Sequence, residues 1–172
     1  MRAGRMLVGI MLAGLALPGC QTQRPAATVS FSASEAAFIK RSGTGIVTGH
    51  AFRTRANGAV VNAAGEVIRL IPATAYARER FTQLYAGRKF LPVARYPAQD
   101  AVDPAYTEHT RTVKSEANGR FAFEGVAPGT YYLTAQVVWG DDPSSLQGGS
   151  VYDVVTLTGR ETRPVDVILS GN

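Results

Sequence analysis

A single cysteine, Cys20, and two histidines, His50 and His109, are all that this 172-residue chain offers in the way of soft or imidazole ligands. One thiol leaves no partner for an internal disulfide, and a catalytic zinc site needs about three converging N, S or O ligands. Neither an HExxH pattern nor a CxxC pair is present. The nearest approach to a metal site, Glu108-His109 beside Asp103, reads more simply as a histidine facing solvent. G-x-S-x-G is missing, and Ser144-Ser145 stands without a histidine close in sequence, so no nucleophile elbow is indicated. There is no phosphate loop and no dinucleotide fingerprint. Asp141-Asp142-Pro143-Ser144 has oxygen ligands but not the spacing of a calcium loop, and reads as a solvated turn. The sequence thus assigns no catalytic residue, no metal and no cofactor, and the expectation is a protein that is not an enzyme.

What is present begins with an address. Arg2 and Arg5 precede an apolar run, Met6 to Leu17, that has no acidic residue and is too short to span a bilayer as a helix. Small residues follow, the layout of a secretory signal. Leu17-Pro18-Gly19-Cys20 resembles the lipobox of bacterial lipoproteins, although Pro18 replaces the small or β-branched residue usual there. The resemblance implies a signal peptide over residues 1–19 and lipidation of Cys20. It also implies a membrane lipid contact through that residue, since two or three acyl chains anchor far more firmly than one. Gln21, rather than aspartate, follows the cysteine, which in the sorting pattern of Gram-negative bacteria favours the outer membrane, facing the periplasm. The chain carries 18 Lys and Arg against 13 Asp and Glu, net +5, and the signal takes two of the arginines with it. So modest an excess in such a compartment points to acidic headgroups or wall polymers and not to nucleic acid.

Residues 20–42 read as a lipid-anchored spacer. Pro25-Ala26-Ala27 gives it little apolar content, and Ser34 is placed to cap a short helix from Glu35 to Arg41, provided that Phe38 or Ile39 docks on the domain. From Gly45 strand signals take over. G-I-V-T-G-H-A-F leads to a turn at Asn57-Gly58, and Gly65 to Pro72 places Ile68, Leu70 and Pro72 on one face with Val67, Arg69 and Ile71 on the other. Val113 to Trp139 reads as three successive antiparallel strands, reversed by a primed turn at Asn118-Gly119 and by Ala127-Pro128-Gly129. In the last of these strands Tyr131, Leu133, Ala135, Val137 and Trp139 share one face, with Phe121 and Phe123 facing inward from the strand before. That face is the expected core. Tyr132 lies opposite and is the better candidate for stacking on a sugar. A loop from Asp141 to Gly149 and two closing strands, Val151–Leu157 and Val165–Leu169, bring the count to about seven, enough for two packed sheets.

Between two of these strands lies an insertion from Ala73 to Arg111, long enough to suggest a functional segment. Tyr76 to Tyr85 has the pattern of a short helix with Phe81, Leu84 and Tyr85 on one side and Gly87 as its stop. Arg78, Arg80, Arg88, Lys89 and Arg95 stand against Glu79 alone up to Arg95. Arginines interleaved with aromatic residues grip anions and sugars by cation–π and stacking contacts, whereas the plainer reading is a lid with a solvated basic rim. The candidate binding residues are Arg78, Arg80, Tyr85, Arg88, Lys89, Tyr96 and Tyr132.

Gly45-x-Val47-x-Gly49, the G-x-x-I-x-L-x-P of Gly65 to Pro72, and N-G-R-F-A-F-E-G-V-A-P-G-T-Y-Y-L-T-A from Asn118 to Ala135 resemble the carboxypeptidase regulatory-like domain. Glu66 stands where that pattern often has a small residue. The resemblance spans residues 43–172 and implies an all-β fold, a seven-stranded antiparallel β-sandwich of transthyretin-like or immunoglobulin-like form, here with a long, part-helical insertion. It also implies a module that supports an enzyme, binds glycan or serves the envelope. The Tyr-Arg-Gly-Ser ending of the hydroxyisourate hydrolases in this group is absent, since this chain ends Leu169-Ser170-Gly171-Asn172. The leading expectation is a non-enzymatic, lipid-anchored cell-envelope module mediating protein–protein interaction. The alternative is a carbohydrate-binding module, with an envelope protein or a glycan as the respective partner.

Overall fold

A computed structural model describes residues 28–97 and 102–172. Cys20, the signal segment and the first part of the spacer, up to residue 27, lie outside the described residues. In chain order the elements are α1 (Ala33–Ala36), β1 (Gly45–Thr54), β2 (Val60–Asn62), β3 (Val67–Pro72), α2 (Ala75–Tyr85), β4 (Phe90–Pro92), α3 (Pro104–Glu108), β5 (Arg111–Lys114), β6 (Arg120–Val126), β7 (Gly129–Trp139), β8 (Gln147–Leu157) and β9 (Val165–Leu169). They form a sandwich of two sheets. One has the order β4-β8-β7-β3-β5; in the other β1 pairs with β2, β6 and β9.

Period-two alternation builds the layer between them. Tyr131, Leu133, Ala135 and Val137 of β7 face Val47, Ala51, Phe121, Phe123 and Leu169 of the opposing sheet, with Ile68 and Leu70 of β3 alongside. Fully burying a large apolar side chain contributes roughly 1.5–3 kcal/mol, so this layer dominates the stability of the fold. Tyr131 is fully buried and donates its hydroxyl to the carbonyl of Ala127 at 2.7 Å, so its one polar atom is satisfied inside the core.

Nine strands among the described residues exceed the seven expected, because β2 and β4, of three residues each, carry too little pattern to read. Pairing is antiparallel throughout except for β9, which runs parallel to β1 with Val47 opposite Val165. The expected meander is corrected more substantially. β5 pairs with β3, β6 with β1, and β7 with β3 and β8, so the chain crosses from sheet to sheet at each of the two turns. The turn at Asn118-Gly119 is also not a primed one. Only the glycine has a positive φ, +79°, and its N–H closes onto Glu116 O at 2.9 Å while Asn118 Oδ1 accepts from Arg120 N. The Asn57-Gly58 turn repeats this design, with Gly58 N donating to Arg55 O at 2.9 Å. The loop expected up to Gly149 ends sooner, since β8 starts at Gln147 and pairs Gly148 and Gly149 with β7.

The N-terminal helix begins earlier than its sequence suggests. Ser32, not Ser34, caps α1 by accepting from Glu35 N at 3.3 Å, and a 3-10 turn over Ala37–Lys40 continues it. Ile39 is buried and the Phe38 ring sits 5.2 Å from that of Tyr131, so the docking that so short a helix requires is met. Upstream, Thr28 N and Val29 N each donate to the Glu79 carboxylate of α2 at 2.8 Å.

Candidate functional site

The insertion packs on the outer face of the five-stranded sheet. Thr74, almost fully buried, caps α2 by accepting from Ala77 N at 3.1 Å. Ala77, Phe81 and Tyr85 then recur at helical spacing and meet Ile71, Tyr132 and Tyr152 to form a second, smaller core. Phe81 lies flat on Tyr132, with ring centroids 3.9 Å apart and planes 12° off parallel. Tyr132, the sequence's candidate for a sugar platform, is therefore roofed by the helix. The apolar character of Ile71, on what read as the mixed face of β3, has the same explanation.

The helix ends in two left-handed residues, Ala86 at φ +49° and Gly87 at φ +78°, which turn the chain back along the edge of β8 as β4. Gly87 was the expected stop; the non-glycine Ala86 starts it one residue sooner. This reversal opens a cleft of about 320 Å³ lined by Gln83, Leu84, Tyr85, Arg88, Phe90, Leu91, Pro92 and Arg95. Arg88 and Arg95 are exposed, and neither has an ion-pair partner among the described residues. Among the described residues no carboxylate lines the cleft. The Phe90 ring packs against the layer between the sheets, with the Arg53 guanidinium 4.0 Å from its centroid. Tyr85 is buried and shares a 2.7 Å hydrogen bond with Ser150 Oγ. Burial pushes its pKa up to about 12 despite that bond, so at neutral pH the phenol is protonated and unsuited to act as a base.

The structure thus brings Tyr85 and Arg88 of the candidate set together and adds Gln83, Phe90 and Arg95. The other candidates are placed elsewhere. Arg78 spans to Glu35 at 3.5 Å. Lys89 holds both oxygens of Asp153 at 2.9 Å, at the rim, where such a pair contributes at most about 1 kcal/mol. Arg80 is buried, its guanidinium 5.7 Å and 5.6 Å from the rings of Tyr76 and Tyr106, in a box that Phe31 also enters. It is a packing residue and not part of a basic rim. Tyr96 is half-buried against the second core, and burial raises its pKa to about 12. The arginines at 88 and 95 were visible in the sequence as charge, but only the β4 edge pairing, a three-residue signal, shows that they share one cleft.

His109 is corrected too: it is buried, and its Nδ1 donates to Ala105 O at 2.7 Å instead of facing solvent. Among the described residues no three His, Cys, Asp or Glu side chains converge as metal ligands. The Asp142 carboxylate accepts from Ser144 N at 2.7 Å and Ser144 Oγ at 2.6 Å, capping a 3-10 turn over Pro143–Ser145.

A candidate carbohydrate binding protein shares this fold. Its crystal structure, from Pseudomonas aeruginosa, aligns over 83% of this chain and 98% of its own, with a TM-score of 0.68 and 26% sequence identity. No family model matches the chain, and no curated protein does so either. No described helix is long and apolar enough to cross a membrane.

Proposed function

We propose that this chain is a non-enzymatic, lipid-anchored envelope domain of the carboxypeptidase regulatory-like kind that binds glycan in the cleft of its insertion. The observation that carries this reading is the cleft itself: apolar side chains and two guanidinium groups without an ion-pair partner among the described residues line one mouth, in a fold shared with a candidate carbohydrate binding protein. Its volume lies at the low end of the range for small-ligand sites, which suits one or two sugar rings. Leu84 and Pro92 match the C–H faces of a sugar, while the arginines match its oxygens. Titrating the full chain with a panel of bacterial-envelope oligosaccharides, followed by amide chemical shifts, should perturb Gln83 to Arg95 selectively. Silence of that segment with every glycan in the panel overturns the reading.

A second reading, a protein partner, draws on the outer face of the β1 sheet, where Ile46 and Ile168 are 36% and 50% exposed. Shifts confined to Ile46, His50 and Ile168 on adding envelope protein would favour it. The anchor has its own test. Cys20→Ser is expected to leave an unprocessed precursor without acyl chains, and mass spectrometry showing identical, unacylated mature forms of variant and wild type would remove the lipoprotein reading and with it the outer-membrane address.

A further inference from the structure

Resting on the glycan reading above, we infer that the cleft selects sugars that carry a carboxylate, the uronic acids and their polymers. Its charge is one-sided. Arg88 and Arg95 line it without an acidic neighbour among the described lining residues. On β8, the Asp153 carboxylate has both oxygens on Lys89. A site for neutral sugar usually sets acceptors as well as donors around hydroxyl groups, because each hydroxyl is both. Here the charged groups only donate. Guanidinium is planar and presents paired N–H groups that match the two oxygens of a carboxylate, a fit that a neutral hydroxyl cannot reproduce. Two such groups with no acid among the described lining residues leave a positive field at the mouth, and an anionic sugar offsets it. The apolar lining from the half-buried Leu84 and Pro92 separates this from a plain phosphate site: a ring with a C–H face covers those side chains, and a small inorganic anion leaves them wet.

The test compares a galacturonic acid tetramer with its fully methyl-esterified form, which keeps every ring and loses every charge, by calorimetry on the full chain. The acid is expected to bind at least about tenfold more tightly in low salt, with the ratio shrinking as salt screens the pair. In the double variant Arg88→Ala, Arg95→Ala the two tetramers should bind alike. The exposed arginines Arg120 and Arg163 serve as a charge-matched control outside the cleft, and Arg120→Ala, Arg163→Ala should keep the preference. Equal binding of acid and ester by the wild type overturns the inference while leaving the glycan reading in place. Equal loss of preference in both double variants also overturns it, since the attraction is then to net charge alone. If neither tetramer nor any other glycan binds, both readings fall together. Phosphate competing as well as the acid tetramer would make the cleft a simple anion site, which likewise overturns it.

Discussion

Gly119→Ala is expected to cost about 2–4 kcal/mol of stability, whereas Gly58→Ala, in a turn of the same design, should cost only about 1 kcal/mol. Both glycines have a left-handed φ, +79° and +84°, so both substitutions bear the backbone penalty for an L residue there. What separates them is space. A Cβ at Gly119 would lie 2.4 Å from the carbonyl oxygen of Ala51, with Asn62 and His50 at 3.2 Å, whereas at Gly58 nothing stands within 4 Å. Ala51 N also donates to the carbonyl of Gly119 at 2.9 Å, so moving the turn away breaks the bond that closes β1 over β6. Equilibrium denaturation of the two variants checks this. Similar midpoints would mean that the Ala51 backbone yields easily and that the turn's conformation, not its close approach, sets the cost.

Phe81→Ala should remove about 3–5 kcal/mol, and it should do so locally. The ring is 4% exposed and contacts three other aromatic rings, Tyr132 at 3.9 Å, Tyr152 at 4.9 Å and Tyr85 at 5.5 Å. Those rings belong to the second core, outside the layer between the sheets, so the expected result is a loosened α2–β4 segment on a sandwich that stays folded. Hydrogen exchange should show amides of α2 and β4 losing protection while those of β7 and β1 keep theirs. A uniform loss across both sheets would show that the helix and sandwich fold as one unit.

The sandwich was legible in the sequence where side chains alternate and where a turn needs a special residue. Tyr131, Leu133, Ala135 and Val137 show their buried face without any knowledge of what covers it, and Asn-Gly marks a reversal by the conformations those residues tolerate. Turn chemistry does not say whether the strands it joins will pair with each other. That depends on partners tens of residues away, such as Thr112 against Arg69, which is why the meander resolved into two crossings between sheets. The site was half legible for the same reason. Arginines and tyrosines marked the insertion as unusual, and the helix with its stop could be read from spacing. Whether a given arginine packs, like Arg80 between Tyr76 and Tyr106, or opens to a cleft, like Arg88, is decided by residues as remote as Phe31 and Ser150.

The grip of Glu79 on Thr28 and Val29 sets where tension enters the domain. A pull along the N-terminal segment reaches the middle of α2 before it reaches β1, through two N–H bonds to a single carboxylate at 2.8 Å each. Gln83 donates to an oxygen of that same carboxylate at 3.1 Å, and Gln83 lines the cleft. The first described residues and the cleft-lining Gln83 therefore meet on one side chain, so a change at Glu79 is expected to reach both the N-terminal segment and the cleft.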